Sequence, residues 1–277
     1  MNVYEIVSEK ILTQLQAGTI PWLKPWTSPR GAYNTITGKS YSLLNQMLLL
    51  EKGPGAYASY DQWTKLGGRI KKGEHGSMIV FWKLQEIESD DGQNVKRPVL
   101  RYYKIFHQSQ VAGVTVDDPE EMCFSTEPIE AVEDLLMSYI NRERIRYEEV
   151  ISNKAYYSPQ KDLIHVPDKR QFERPEAFYS TLAHECGHST GAVSRLNRKG
   201  LQDIQFGSET YSYEELIAEL TSAFILNSIG IDTEATVNNS AAYIAGWTKA
   251  LQDDSHLIVR AAGQAEKAAN LIKGEAK

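Results

Sequence analysis

A pair of histidines four residues apart constrains this 277-residue chain more than any other feature of its sequence. The pentapeptide HECGH at residues 184–188 places His184 and His188 on one face of a helix, where both can bind the same metal ion. Glu185 lies about 100° around the helix from His184, within reach of a water on the metal without being a ligand. A divalent metal lowers the pKa of such a water, and a nearby carboxylate can pass its proton to a leaving amine. The motif therefore predicts a helix that carries a hydrolytic metal site.

A third metal ligand has to come from another element, because a catalytic zinc normally has three protein ligands and a water. No histidine follows at the HxxGxxH spacing. A second predicted helix, about 213–229, places Glu215 and Glu219 four residues apart beside an apolar stripe. We predict Glu215 as the third ligand and Glu219 as the group that orients a ligand histidine from behind. Glu214 points elsewhere and is expected to be solvated. Zinc fits two nitrogens and one oxygen best, and manganese would also accept them.

Charge divides the chain into a basic and an acidic part. Residues 1–112 carry 14 Lys and Arg against 9 Asp and Glu, whereas residues 113–277 carry 16 against 27. A basic surface with aromatic stacking platforms is typical of proteins that bind single-stranded DNA. Phe81 and Trp82 lie in a predicted strand and are expected in the core. The side chains that we predict to contact DNA are Trp22, Lys24, Trp26, Arg30, Lys39, Tyr41, Lys71 and Lys72.

Hydrophobic periodicity predicts an α+β chain of two domains. The first domain, 1–112, combines short helices with a hairpin whose strands cover 77–87 and 100–106. The acidic stretch 113–128 is predicted to be a linker. The second domain, 129–277, is expected to carry the motif helix, further helices and three short strands.

The composition is that of an ordinary globular protein, with 42% apolar and 24% charged residues. No apolar run reaches the ~18 residues of a membrane span, and the N-terminus does not resemble a signal peptide. The two cysteines, Cys123 and Cys186, suggest no disulfide framework. We therefore expect a cytoplasmic protein with no membrane partner.

Motifs along nearly the whole chain resemble one family. Four segments of this chain resemble the zincin-like metallopeptidase domain of ArdC-type antirestriction proteins: YYSPQKDLIHVP, FYSTLAHECGHSTG, SRLNRKG and YSYEELIAEL. The N-terminal domain of that family resembles the segments GTIPWLKPW, YNTITGKSY, DQWTKLGGRIKKGEHGSMIVFW and FHQSQVAG. The departures are small, since Cys186 replaces a larger apolar residue and Ser189 an aromatic one, and neither removes a ligand.

The resemblance implies a protein of a plasmid or other mobile element that protects incoming DNA, for example in conjugation, from host restriction enzymes. It implies an N-terminal domain that binds single-stranded DNA and a C-terminal metallopeptidase, a hydrolase whose protein substrate is unknown. The segment from Glu215 to Glu219, downstream of the HExxH motif, is also similar to the gluzincin arrangement, in which a glutamate is the third ligand.

Two other classes of protein have to be weighed against this one. A DNA-coating protein with a structural metal site would need no proteolysis, so Glu185→Ala would leave its function intact. A metal-dependent nuclease is disfavoured, because no cluster of aspartates is present to bind two hard cations.

Three further features are hypotheses about the substrate cleft. The stretch 156–166 is predicted to include an edge strand that pairs with an extended peptide. Tyr157, Tyr211 and Tyr213 are candidates for stabilising an oxyanion. Arg195 is expected either to pair with an acidic residue or to be solvated.

Overall fold

The computed structural model describes residues 2–23, 30–88, 94–116, 127–201, 209–231 and 241–275, and within these ranges the chain is α+β, as predicted. The described helices are α1 (Val3–Gln16), α2 (Leu43–Leu48), α3 (Tyr60–Lys65), α4 (Pro128–Arg142), α5 (Pro175–Ser189), α6 (Glu209–Ile229), α7 (Ala241–Asp253) and α8 (Leu257–Lys273). The described strands are β1 (Ala32–Asn34), β2 (Gly55–Ala58), β3 (Arg69–Ile70), β4 (Ser77–Glu88), β5 (Asn94–His107), β6 (Val111–Ala112), β7 (Arg146–Val150), β8 (Tyr156–Ser158) and β9 (Leu163–Pro167). None of these helices is long and apolar enough to cross a membrane.

The first half of the chain is built around a four-stranded sheet with the strand order β1-β2-β5-β4. β1 and β2 are parallel, whereas β2 with β5 and β5 with β4 are antiparallel. β4 and β5 pair continuously from Ser77↔Ile105 to Glu88↔Asn94, which confirms the predicted hairpin and lengthens its second strand. β3 and β6 form a separate antiparallel pair. The strands β2, β3 and β6 were not predicted, because two to four residues are too few to show alternation.

In the second half, a three-stranded sheet and α6 hold the helix that contains the HECGH motif. The strand order is β7-β9-β8, with β7 parallel and β8 antiparallel to β9, so β8 is an end strand of this sheet among the described strands. α5 contacts β8, β9 and α6. Pro175 in its first turn has no N–H to leave unpaired, and Glu176 complements the positive end of the helix dipole. The predicted helix and strands of this region are confirmed to within about two residues, the usual uncertainty of element ends.

One apolar cluster joins the two halves of the chain. It contains residues of α1 and α2 together with residues of α6, α7 and α8. Ile11 and Leu48 from the first half are fully buried, as are Leu220 and Ala261 from the second. The predicted domain bounds lie where the charge of the chain changes sign, but this cluster contains residues from both sides of that position. Of the predicted linker, residues 117–126 lie outside the described part.

Two tryptophans have the opposite exposure to the one predicted from the sequence. Trp22, a predicted DNA contact, is only 2% exposed, because it packs into the cluster that joins the halves together with its neighbours Ile20 and Leu23. Trp82, expected in the core, is 54% exposed, because the outer part of the β4–β5 hairpin extends beyond the rest of the sheet. Its neighbour Phe81 is half-buried.

Candidate metal centre

The two motif histidines on α5 and a glutamate on α6 meet at one point. The Nε2 atoms of His184 and His188 are 3.1 Å apart, and each lies 3.4 Å from a different carboxylate oxygen of Glu215. Atoms bound tetrahedrally to one zinc ion at 2.0–2.1 Å are roughly 3.4 Å from one another. The three side chains therefore fit a single divalent ion and leave a fourth position for water.

The other ring nitrogen of each histidine faces a second carboxylate. His184 Nδ1 is 3.5 Å from Glu219, and His188 Nδ1 is 3.5 Å from Glu214. A carboxylate behind Nδ1 keeps the hydrogen on that nitrogen, which leaves the Nε2 lone pair directed at the shared point. This donor arrangement is the one that a metal ion requires of histidine.

Glu214 is buried, which corrects the expectation that it is solvated. It is 3% exposed, and the Arg198 guanidinium donates to its carboxylate from Nε, at 2.9 Å, and from Nη2. Arg198 also donates to Thr190 Oγ1 and to the carbonyl of Gly187. The arginine thus connects the segment after α5 to both helices. A helical wheel of α6 places Glu214 on another face, but it cannot show that Arg198 occupies that face.

Glu185 lies in the wall of a cavity of about 420 Å³ beside the two histidines. The start of β8 lines the same cavity with Tyr156 and Tyr157. Burial raises the pKa of Glu185, and the neighbouring histidines and the Tyr157 backbone N–H offset only part of this rise. A carboxylate with a raised pKa accepts a proton more readily, which suits a group that takes up and returns a proton.

The carboxylates also shift the pKa values of the histidines. Burial alone would lower the pKa of His184, but hydrogen bonds to Glu215 and Glu219 raise it well above its usual range. Glu214 and Glu215 raise the pKa of His188 against the effect of burial in the same way. Burial would raise the pKa of Glu215, but the two histidines outweigh it and hold that pKa far below its usual range. A metal ion therefore competes with protons for this site.

α5 and α6 approach each other closely at the glycine of the motif. A Cβ on Gly187 would lie 3.0 Å from the Cα atom and 3.2 Å from the carbonyl oxygen of Ala218. Ser222 Oγ donates to the carbonyl of Ser180 at 3.1 Å, which adds a second link between the helices. These contacts fix α6 in the position that brings Glu215 to the histidines.

The hydroxyl of Tyr157 is already engaged and is a poor candidate for stabilising an oxyanion. It donates to Asp162 at 2.7 Å and accepts from Arg195 Nη2 at 3.1 Å. The Arg195 side chain is 2% exposed and pairs with Asp162, so Arg195 is paired and not solvated. The side chain of Tyr211 lies outside the described part, and the ring of Tyr213 lies beneath the guanidinium of Arg260.

The predicted DNA contacts are spread over different environments. Arg30 lies 4.8 Å over the ring of Tyr33, and Tyr41 is half-buried. Lys24 and Trp26 lie outside the described residues. The exposed members of the predicted set are Lys39, Lys71 and Lys72.

Known protein families match both halves of the chain. Residues 135–264 match a zincin-like metallopeptidase, and residues 1–106 match the N-terminal domain of anti-restriction factor ArdC. The fold and the site thus define a class of protein in which a zincin-like domain follows an ArdC N-terminal domain.

Solved structures lead to the same family over the whole chain. Two crystal structures of the antirestriction ArdC protein from the R388 plasmid align with this chain with a TM-score of 0.79. Each alignment covers 99% of this chain and 98% of the ArdC chain. The metal-free structure is 30% identical in sequence and the Mn(II)-bound structure 31%. The chain belongs to the ArdC antirestriction family, which confirms the resemblance seen in its motifs.

Three further relatives are similar along almost the full chain. The uncharacterized protein y4eC of Sinorhizobium fredii is 32% identical over 99% of this chain and 92% of its own length. Two DNA primases TraC of Escherichia coli are 33% and 34% identical over 97% and 95% of this chain. The chain spans only 27% and 19% of the length of those primases, so their similarity concerns one part of a longer protein.

Proposed function

We propose that this protein is a metal-dependent peptidase of a mobile element that binds single-stranded DNA and protects it from restriction. The peptidase half rests on one observation, the convergence of three side chains beside a buried glutamate in a cavity wall: the two histidine Nε2 atoms are 3.1 Å apart, and each is 3.4 Å from an oxygen of Glu215. The DNA-binding half rests on membership of the ArdC family and on the basic first part of the chain.

His184, His188 and Glu215 hold one divalent metal in this proposal. The metal, when bound, acts as a Lewis acid that polarises a peptide carbonyl and makes a neighbouring water more acidic. Glu185 takes the proton from that water and delivers it to the leaving amine. Zinc is the first choice for two nitrogens and one oxygen, and the Mn(II)-bound relative supports manganese as the alternative.

The end strand β8 provides a place for an extended peptide substrate. β8 pairs with β9 on one side, and Ala155, Tyr156 and Tyr157 line the cavity that contains Glu185. A peptide that adds to this edge by backbone pairing passes beside the metal ligands.

Glu185→Gln tests whether proteolysis is required for protection. The amide keeps the size of the side chain but cannot take up a proton, so peptide hydrolysis should fall by about 10²–10⁴-fold. New protein N-termini would be identified by mass spectrometry in a restricting host that receives unmodified plasmid DNA. We expect specific new N-termini and efficient plasmid transfer with the wild type, and neither with Glu185→Gln.

Glu176→Gln is the matched control, because it makes the same change in the first turn of the same helix, outside the lining of the cavity. It should behave like the wild type in both measurements. If Glu185→Gln retains metal and protects DNA as well as the wild type, the protein acts by coating DNA and proteolysis is not required.

A further inference from the structure

The outer part of the β4–β5 hairpin extends beyond the rest of its sheet. β2 pairs with β5 only at Ala58↔Phe106 and Tyr57↔His107, so the preceding residues of β5 pair with β4 alone among the described strands. Several large side chains of this ribbon are about half exposed or more: Trp82, Leu84, Tyr102 and Tyr103. Tyr103 lies on one face of the ribbon, and the other three lie on the opposite face.

The pairing register sorts the hairpin residues into two faces of different charge. Residues that pair directly share a face, and the faces alternate along each strand. One face, here called the cationic face, includes three cations and no carboxylate among its described residues: Phe81, Lys83, Gln85, Arg97, Val99, Arg101 and Tyr103. The opposite face has charges of both signs, including an ion pair 3.7 Å long: Lys96 and Glu86.

The cationic face also presents aromatic surface. The rings of Phe81 and Tyr103 are in contact, with centroids 4.5 Å apart and planes inclined by 32°. Tyr103 is 51% exposed, which leaves part of its ring open to solvent. Ile79, which pairs with Tyr103 on this face, packs against the same buried cluster as Tyr41, a residue predicted from the sequence to contact DNA. The cationic face therefore begins at the cluster against which this predicted DNA contact packs.

We propose that the cationic face binds single-stranded DNA. Tyr103 and Phe81 provide the stacking surface for bases, and Lys83, Arg97 and Arg101 contact phosphates. Aromatic platforms flanked by cations are how proteins bind single strands with little sequence preference. In a duplex the bases stack on one another and are not available to stack on the aromatic rings, so we expect weaker binding to a duplex than to a single strand. This assignment rests on the proposed DNA-binding function and names the surface that performs it.

The neighbouring tyrosines provide a matched test of the stacking surface. Tyr102 and Tyr103 are 49% and 51% exposed, but they lie on opposite faces. Fluorescence anisotropy of labelled oligo(dT) with the full chain measures the dissociation constant of each alanine variant. Loss of one stacked base costs about 1–3 kcal/mol, so Tyr103→Ala should weaken binding by about 5- to 150-fold. Tyr102→Ala should stay within about twofold of the wild type, since it removes no stacking contact with the strand.

Charge removal on each face tests the phosphate contacts. The double variant Lys83→Gln with Arg101→Gln removes two charges from the cationic face, and Lys96→Gln with Lys104→Gln removes two from the opposite face. Each lost phosphate contact lowers the slope of log affinity against log salt by about 0.7 for a single strand. The first variant should therefore lower the slope by about 1.4, and the second should leave it unchanged.

Three results would overturn the assignment in different ways. A wild type that does not bind oligo(dT) would contradict the proposed DNA-binding function itself. A wild type that binds, with all variants equal to it, would leave that function intact and show that the surface is wrong. A larger loss for Tyr102→Ala than for Tyr103→Ala would transfer the site to the opposite face. Thermal unfolding of each variant checks that the hairpin still folds.

Discussion

At the residue scale, the buried pair of Arg198 and Glu214 supports the geometry behind His188. The two side chains are 6% and 4% exposed. A buried charge is tolerated only while it is paired and hydrogen-bonded. The pair therefore stabilises the fold only as a unit, and the removal of either partner leaves a charge in a place that water does not reach.

Arg198→Ala is expected to destabilise the protein strongly. Breaking a buried ion pair by removing one partner costs about 3–5 kcal/mol, because the remaining carboxylate of Glu214 stays buried. Denaturant unfolding measures the change in the free energy of unfolding. Lys96→Ala is the control, since it breaks an exposed pair with Glu86 that contributes about 1 kcal/mol at most. Equal small losses in both variants would contradict the importance of the buried pair.

Metal binding is expected to release protons at neutral pH. Hydrogen bonds to the carboxylates of Glu215 and Glu219 raise the pKa of His184 well above its usual range. At neutral pH this side chain is therefore the positively charged imidazolium before the metal binds. A metal ligand has to be the neutral imidazole, so affinity should fall as the pH falls. Calorimetry in buffers of different ionisation enthalpy counts the released protons. The count should be positive at pH 7 and should decrease once the pH exceeds the raised pKa. A count of zero at pH 7 would contradict this electrostatic description.

Some residues of the site could be predicted from the sequence and others could not. The i, i+4 spacing is local, so it is enough to place His184 and His188 on one face of α5. Glu214 could not be placed, because its environment is set by Arg198, a residue of a different segment. The burial of Trp22 was not predicted, because a segment rich in proline resembles a surface loop, whereas Ile20, Trp22 and Leu23 of this segment are buried.

At the element scale, the site depends on how closely α5 and α6 pack. Gly187→Ala would place a methyl group 3.0 Å from the backbone of Ala218. Overpacking costs about 1–3 kcal/mol, which exceeds the gain of about 1 kcal/mol from the better helix propensity of alanine. The variant should be less stable and should bind metal more weakly, because α6 and Glu215 are displaced from the histidines.

Gly263→Ala is the matched control for this prediction. Gly263 lies in α8, is exposed, and has no atom within 4 Å of an added Cβ. The same substitution should therefore stabilise the protein by about 0.4–1 kcal/mol and leave metal affinity unchanged. Thermal unfolding and metal titration of both variants would test the pair. Gains in stability at both positions would show that the helices are not tightly constrained at Gly187.

The bounds of the long helices and strands were predicted well, but which of their faces other elements cover was not. The helix α6 and the strand β4 were predicted to within a few residues, α6 from an apolar stripe at helical spacing and β4 as the first strand of a hairpin. The exposure of Trp82 could not be predicted, because alternation along β4 does not tell which part of the hairpin another layer covers. Each strand of the ribbon carries apolar residues, but only the base of the ribbon packs against a core.

At the scale of the whole molecule, the apolar cluster shared by both halves ties the metal site to the N-terminal part. Leu216 and Leu220 lie on α6 with Glu215, and both are packed in the cluster that includes α1 and α2. The residues that face the first half are therefore on the helix that brings a carboxylate to the histidines. The difference in charge between the halves suggests separate partners, but the packing does not suggest separate folding.

A fragment of residues 113–277 should consequently fail to fold stably. Without α1 and α2, it exposes apolar residues that are fully buried in the whole chain, including Leu220, Ala261 and Ala265. Near-ultraviolet circular dichroism and thermal unfolding should show no cooperative transition, in contrast to the full chain. A fragment that unfolds cooperatively and binds metal with the affinity of the full chain would contradict a shared core.

Metal content and affinity decide whether His184, His188 and Glu215 hold one metal for hydrolysis assisted by Glu185. The wild type should bind one equivalent of zinc or manganese per chain, and Glu185→Gln should bind it equally well. Glu215→Ala should lose the metal, and Glu219→Ala should bind it about 10- to 100-fold more weakly. If Glu215→Ala keeps one metal per chain at the affinity of the wild type, Glu215 is not a ligand and the proposed centre is wrong.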